Sequence, residues 1–462
     1  MRTKFNYSYL VQIVLVSALG GLLFGYDWVV IGGAKPFYEK FFDIAQSTNL
    51  QGWAMSCALI GCLLGAITSG VFSDRFGRKK LLIFSAFLFT LSALGTGASN
   101  AFTPFIFYRI LGGIGIGLAS NLSPMYIAEI SPAAMRGKFV SLNQLTIVIG
   151  ILLAQIVNWQ IAEPVAETVT DAEILNSWNG QMGWRWMFWA ETIPAGLFFL
   201  LMFFVPESPR WLAKNGNESK VLTILGRIGG KAYAQNEYSS IRETLKDNTG
   251  KVNFKELLAP GVKKILLIGS VLAAFQQWCG INVIFNYAEE VFAAAGYGVS
   301  DILFNIVVTG SVNLIFTFVA IFTVDKLGRR ALMLLGAGGL AGIYAFMGAA
   351  YFFQITGWPL LLLVVLGISC YAMSLAPVTW VVLSEIFPNR IRGAAMAIAT
   401  VSLWLASFLL TYTFPLLNNA FGASGTFWLY GIICIGGLLF IYKKLPETKG
   451  RTLEEIEKEI LK

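Results

Sequence analysis

The chain has 462 residues, 56% of them hydrophobic and only 13% charged, where soluble domains carry about 25% charged residues. The mean hydropathy is +0.67, histidine is absent, and the five cysteines (Cys57, Cys62, Cys279, Cys370, Cys434) lie in apolar runs without metal-type spacing. Imidazole chemistry is thereby excluded, a disulfide framework is not expected, and the net charge of +8 favours nucleic acid only if it forms a single patch, which its distribution contradicts.

Arg2 and Lys4 precede the first apolar run, as they would in a signal peptide. That run is too long, keeps Asp27 near its end and lacks a small-residue cleavage site, so it reads as a retained first span. Further apolar runs are long enough to cross about 30 Å of hydrocarbon as helices. Twelve spans are expected, at 9–31, 50–72, 81–98, 103–124, 139–161 and 186–205, then 263–286, 302–323, 331–353, 360–383, 395–417 and 426–443. The resulting division is 1–205 for a first six-helix half, 206–262 for a cytoplasmic helical linker, 263–445 for a second half and 446–462 for a tail. Helix-compatible charged stretches occur in the linker around Lys220–Gly229 and Tyr238–Asp247, and Leu453–Lys462 reads as a short amphipathic helix. The linker is too small for an enzyme domain, and no nucleophile–base pair or metal cluster appears, so no catalytic residue, metal or cofactor is expected. With both termini inside, all Lys and Arg fall on the inner side except Lys35, Lys40, Arg185 and, within a span, Arg109. That asymmetry sets the topology.

Three stretches repeat. Gly70-Val-Phe-Ser-Asp74-Arg75-Phe-Gly77-Arg78 returns as Val324-Asp325-Lys326-Leu-Gly328-Arg329-Arg330. Glu129-Ile-Ser-Pro132 with Arg136-Gly137 returns as Glu385-Ile-Phe-Pro388 with Arg392-Gly393, and Pro206-Glu207-Ser-Pro-Arg210 is echoed by Pro446-Glu447-Thr-Lys-Gly450. Paired motifs in one order imply two six-span halves, the architecture of transporters with a midplane site between repeats. With Gln276-Gln277…Gly280-Ile281-Asn282, these motifs make the whole chain resemble the sugar porters of the major facilitator superfamily, most nearly the bacterial proton–xylose symporters; compare Gly20-Gly-Leu-Leu-Phe-Gly-Tyr-Asp27 and Ser123-Pro-Met-Tyr-Ile-Ala-Glu129.

Asp74, Arg75, Arg78, Glu129 and Arg136 can form an ion-pair network at the inner ends of the first half, and Asp325, Arg329, Arg330, Glu385 and Arg392 can do so in the second. Topology signalling alone explains Lys79 and Lys80 but not acidic residues at matched places in both halves. The resemblance implies that these networks close the cytoplasmic side, with Glu207, Arg210 and Glu447 tying the gate to the soluble helices. Asp27, Arg109 and Glu191 should lie roughly 8–10 Å below the outer surface, at 1.5 Å per residue. Three charges at one depth are expected to be partners, either as a fixed salt bridge or as a proton site on Asp27. The resemblance favours the proton site.

A monosaccharide offers hydroxyls that need paired donors and acceptors and a C–H face that packs on a ring. Gln276, Gln277 and Asn282 in span 7, Asn313 in span 8 and Gln144 in span 5 supply amides, and Trp380 and Trp404 supply rings. A lone amide in a span is usually helix–helix glue; this concentration favours a pocket. The resemblance places each of them at the sugar and adds Phe24. It also marks two departures: Leu403 stands where an amide is common, and Asn286-Tyr287 where paired tyrosines are common. Ala376-Pro377 would be a flexible break in span 10. The expected protein is a monomeric, multi-pass protein of the cell inner membrane, with both termini cytoplasmic. It imports a pentose or hexose such as xylose or glucose with a proton by alternating access, and its partners are sugar, proton and lipid bilayer. The alternatives are an uncoupled facilitator, a polyol or inositol symporter, or a transporter-like sensor.

Overall fold

The computed structural model describes residues 5–166, 169–247, 260–387 and 391–449. These residues are almost wholly helical. Span 1 is Tyr7–Phe41, span 2 Thr48–Phe76, span 3 Arg78–Ala98, span 4 Phe102–Ile130 and span 5 Arg136–Ile161. Span 6 consists of Trp184–Ala190 and Thr192–Met202, and span 7 of Pro260–Trp278, Ile281–Asn286 and Ala288–Ala293. Span 8 is Val299–Leu327, span 9 Arg329–Phe352, and span 10 Trp358–Met373 with Leu375–Ile386. Spans 11 and 12 lie within Arg392–Lys444 and meet at the non-helical Gly422. Ten helical stretches among the described residues, with the pieces of spans 7 and 10 taken together, are long and apolar enough to cross a membrane; the bend at Gly422 and the two-piece span 6 account for the remaining two spans. The tail beyond Lys449 lies outside the described residues.

Spans 6 and 10 divide for the same cause. Pro194 cannot donate to the carbonyl of Ala190, nor Pro377 to that of Met373, so each helix breaks one turn before its proline. The break in span 10 therefore falls at Ser374, just ahead of the expected Ala376-Pro377. The linker forms Pro209–Lys214 and then two helices within Glu218–Asp247 that meet at the non-helical Gly230, so the two expected segments are present, the second beginning ahead of Tyr238. A short helix, Asp171–Asn176, with a capping box between Thr170 and Glu173, and a π-helical turn at Asn179–Gly183 fold the outer loop ahead of span 6. No sequence periodicity announced either element.

Large apolar side chains such as Phe204, Phe322, Ile193 and Ile432 face outward with more than half their surface exposed. Stranded in water they would forfeit roughly 25 cal/mol per Å², so lipid is their solvent. Between helices, packing relies on small residues. Span 2 meets span 4 through Gly61, Gly65, Gly113 and Gly117, and a Cβ added at Gly113 would sit 1.9 Å from the Ala58 carbonyl oxygen. Gly113→Ala should therefore force the helices apart, costing about 1–3 kcal/mol and lowering the melting temperature in detergent by several degrees. Gly226→Ala in the linker helix meets nothing within 4 Å and should raise stability slightly, by about 0.5–1 kcal/mol.

We call the side opposite the basic loops outer. The polar contacts that join the two halves among the described residues lie there: Lys35 with Glu289 and Glu290, the Val165 amide with Ser300, and Tyr412 with Asn49. The outer side is closed.

Candidate functional site

Span 1 carries Asp27 into the interior, where Arg109 of span 4 donates from Nη1 to its carboxylate and from Nη2 to its backbone oxygen at 3.4 Å. Both side chains are almost fully buried. Approach this close depends on Gly112, since a Cβ there would meet Ser92 Oγ at 2.4 Å and Asp27 Oδ2 at 3.1 Å. The Arg109 guanidinium also lies 5.6 Å from the centre of the Phe188 ring on span 6, a favourable cation–π geometry. Glu191 sits buried at the break in span 6, within electrostatic reach of both Asp27 and Arg109 but hydrogen-bonded to neither. Asp27 Oδ2 and Glu191 Oε1 accept no hydrogen bond, which leaves each an oxygen free to take a proton. A cavity about large enough for a single water adjoins the pair and is lined by Asp27, Trp28, Arg109 and Asn286 with apolar neighbours.

The span 7 amides form a chain. Asn282 Nδ2 donates to Gln277 Oε1, Gln277 Nε2 to Gln276 Oε1 at 2.5 Å, and Gln276 Nε2 to the Tyr371 hydroxyl at 2.7 Å. Across the interface, the rings of Phe24, Trp28 and Trp404 form a triangle with centroids 5.9–6.0 Å apart. Leu403 is buried beside Trp404, and Asn286 is buried with its Oδ1 unpaired. Gln144 and Trp380 are half-buried on spans 5 and 10, and Asn313 is buried on span 8. No hydrogen bond links these last three side chains to the amide chain. Trp28 and Tyr371 were missed from the sequence. Trp28 was findable, because it follows Phe24 by one helical turn and shares its face.

At the inner ends, the ion pairs among the described residues each lie within one half. Arg78 contacts Glu129 at 2.8 Å and Asp74 at 3.5 Å, and Lys214 of the linker holds Asp74 at 2.8 Å. Arg329 contacts Glu385 at 3.2 Å. The side chains of Asp325 and Arg392 lie outside the described set. Glu207 and Glu447 take a place the sequence did not suggest, at the N-termini of spans 3 and 9. Glu207 Oε1 accepts from the amides of Arg78 and Lys79, and Glu447 from those of Arg329 and Arg330. A carboxylate there satisfies orphan donors and meets the positive end of the helix dipole. Partial burial works against ionisation of Glu447, but the backbone donors prevail and hold it below the usual carboxylate range. The loops can receive these carboxylates because Gly77 and Gly328 have φ of 88° and 89°, and a Cβ there would meet Glu207 Oε2 at 2.3 Å and Glu447 Oε2 at 2.7 Å. The guanidiniums of four expected members stand apart from the carboxylates: Arg136 donates to the Ala128 carbonyl at 2.9 Å, Arg330 to the Tyr442 carbonyl at 2.7 Å, Arg75 lies over the Phe76 ring, and Arg210 is exposed.

Comparison with known proteins gives one consistent answer. A family model described as "Sugar (and other) transporter" matches residues 13–460. The chain is 42% identical to the D-xylose-proton symporter of Escherichia coli K12, over 99% of this chain and 97% of that protein. It is 38% identical to the arabinose-proton symporter of Bacillus subtilis, over 98% and 95%. Among solved structures, the xylose transporter XylE from E. coli in a partially occluded inward-open conformation superposes with a TM-score of 0.84 at 39% identity, covering 96% of this chain and all of that one.

Proposed function

The chain belongs to the sugar transporter family, and from that premise we propose that it imports a monosaccharide together with a proton by alternating access. It works in the bacterial cytoplasmic membrane with both termini inside. Asp27 is the proton carrier, Arg109 its paired counter-charge, and Glu191 a third buried charge within electrostatic reach of both. Phe24, Gln144, Gln276, Gln277, Asn282, Asn313, Trp380 and Trp404 receive the sugar, which presents hydroxyls to the amides and a C–H face to the rings.

One observation carries the coupling: Asp27 is followed directly by Trp28, whose ring touches Phe24 on its own helix and Trp404 on the opposite half. Protonation loosens the Asp27–Arg109 pair, freeing span 1 to shift, and that shift reaches the sugar through Trp28. Sugar packed on the same rings biases the same helix, so the two ligands act on one two-state element. The inner networks, whose ion pairs among the described residues lie within one half while the outer side is closed, mate across the halves when the carrier faces outward. Leu403 and Asn286 alter the sugar contacts, which leaves pentose and hexose both as candidates.

The test is uptake of radiolabelled xylose, arabinose and glucose, each separately, into proteoliposomes with and without an inside-alkaline gradient. Accumulation above equilibrium only with the gradient, for at least one sugar, is the expected result. Equilibration alone, with or without the gradient, would instead assign an uncoupled facilitator in which Asp27–Arg109 is a fixed bridge.

A further inference from the structure

Span 1 is 35 residues long, or about 52 Å at 1.5 Å per residue, so its last turns project beyond about 30 Å of hydrocarbon. On that projection Lys35 is 2% exposed and Glu39 5% exposed, although the sequence suggests solvated loop charges. Lys35 Nζ contacts Glu39 Oε2 at 3.2 Å on its own helix, and Glu289 Oε2 at 3.0 Å and Glu290 Oε1 at 2.6 Å on the outer end of span 7. Span 2 adds Gln51, which donates to Glu39 Oε2 at 3.1 Å. The other titratable groups facing the cluster are the Tyr38 and Tyr287 phenols, with the Asp27–Arg109 pair deeper in spans 1 and 4. Lys40 is engaged separately, with Asp171 at 3.5 Å.

One ammonium thus faces three carboxylates across the interface between the halves. Two carboxylate oxygens, Glu39 Oε1 and Glu290 Oε2, are buried without a hydrogen-bond partner. We propose that Lys35, Glu39, Glu289 and Glu290 form a second proton-binding site, one that takes up a single proton as the outer side closes. The balance is simple. With the outer side open, water solvates each carboxylate and all three ionise. Closure strips that water and brings Glu289 and Glu290 against Glu39, leaving two negative charges uncompensated; one proton shared on the carboxylates relieves the nearest repulsion and fills an orphaned oxygen. In the closed form the orphaned oxygens of Glu39 and Glu290 and the nearby Glu289 favour holding a proton that the open, hydrated form releases. Closure is therefore favoured at low pH and weakens as pH rises. External acid then acts twice, loading Asp27 and latching the gate behind the sugar. The proposal rests on alternating access but not on Asp27 being the coupling site.

The test is electron–electron resonance distance measurement in proteoliposomes, with spin labels at the exposed outer-loop positions Gln46→Cys and Thr356→Cys, one in each half. Cys370 is replaced by Ala, since the other four cysteines are buried. From pH 6 to 9 the closed-to-open ratio should fall, by up to about tenfold per pH unit for a one-proton linkage. Glu290→Gln, with Glu39→Gln as the second variant, should abolish that fall and hold the outer side closed, whereas Asp27→Asn should leave it in place. The proposal is overturned if the ratio is flat in the unsubstituted protein, if both glutamine variants titrate as it does, or if Asp27→Asn alone removes the pH dependence. This readout needs no transport, so it stands or fails independently of gradient-driven uptake.

Discussion

Asp27→Asn is expected to abolish gradient-driven accumulation while leaving sugar exchange across the membrane intact. One pH unit is about 1.4 kcal/mol, so a one-to-one symporter under a one-unit gradient can concentrate sugar up to about tenfold; in the variant that ratio should fall to one. Asparagine has nearly the shape of a protonated aspartate and cannot release the proton, so the carrier is held in the loaded form and cycles with sugar alone. Folding should survive, because the charge left on Arg109 keeps Glu191 within electrostatic reach. Arg109→Gln is the opposite case. It leaves Asp27 and Glu191 buried with no cation between them, and breaking a buried pair this way costs about 3–5 kcal/mol, so that variant should express poorly. Measuring uptake against equilibrium exchange for Asp27→Asn separates coupling from transport. Retained accumulation would remove Asp27 from the proton path.

Much of this architecture was legible because lipid imposes a simple code: a span needs length and apolarity, and a basic loop stays inside. The twelve spans, the two halves and the place of Asp27 and Arg109 at one depth follow from that code, and the family and the XylE superposition agree with the fold. What the code does not contain is the partner of each side chain across elements far apart in sequence. Lys35 looked like a loop charge, yet its carboxylates Glu289 and Glu290 come from span 7, some 250 positions away. Glu207 and Glu447 looked like salt-bridge partners because arginines lie nearby in the motifs. They bind backbone amides instead, because the free N-termini of spans 3 and 9 offer several donors at once where a side chain offers a flexible one. The break in span 6 at Glu191 could have been read from Pro194, as that in span 10 was from Pro377.

The chain of amides on span 7 sets the second large effect. Gln277 is its middle link, accepting from Asn282 and donating to Gln276. Gln277→Leu keeps the side-chain volume but strands Gln276 Oε1 and Asn282 Nδ2 as buried groups, each worth about 1–3 kcal/mol, and also removes whatever the sugar gained from the amide. The expected outcome is a KM for counterflow raised on the order of tenfold to a hundredfold, together with a lower melting temperature. Gln144 makes no hydrogen bond among the described residues and is half-buried, so Gln144→Leu should raise KM without changing stability. The contrast separates pocket from scaffold. If Gln277→Leu lowers the melting temperature and leaves KM unchanged, the amide chain is glue between spans 7 and 10, and the sugar contacts must be sought nearer the triangle of Phe24, Trp28 and Trp404, where a C–H face would still find its rings.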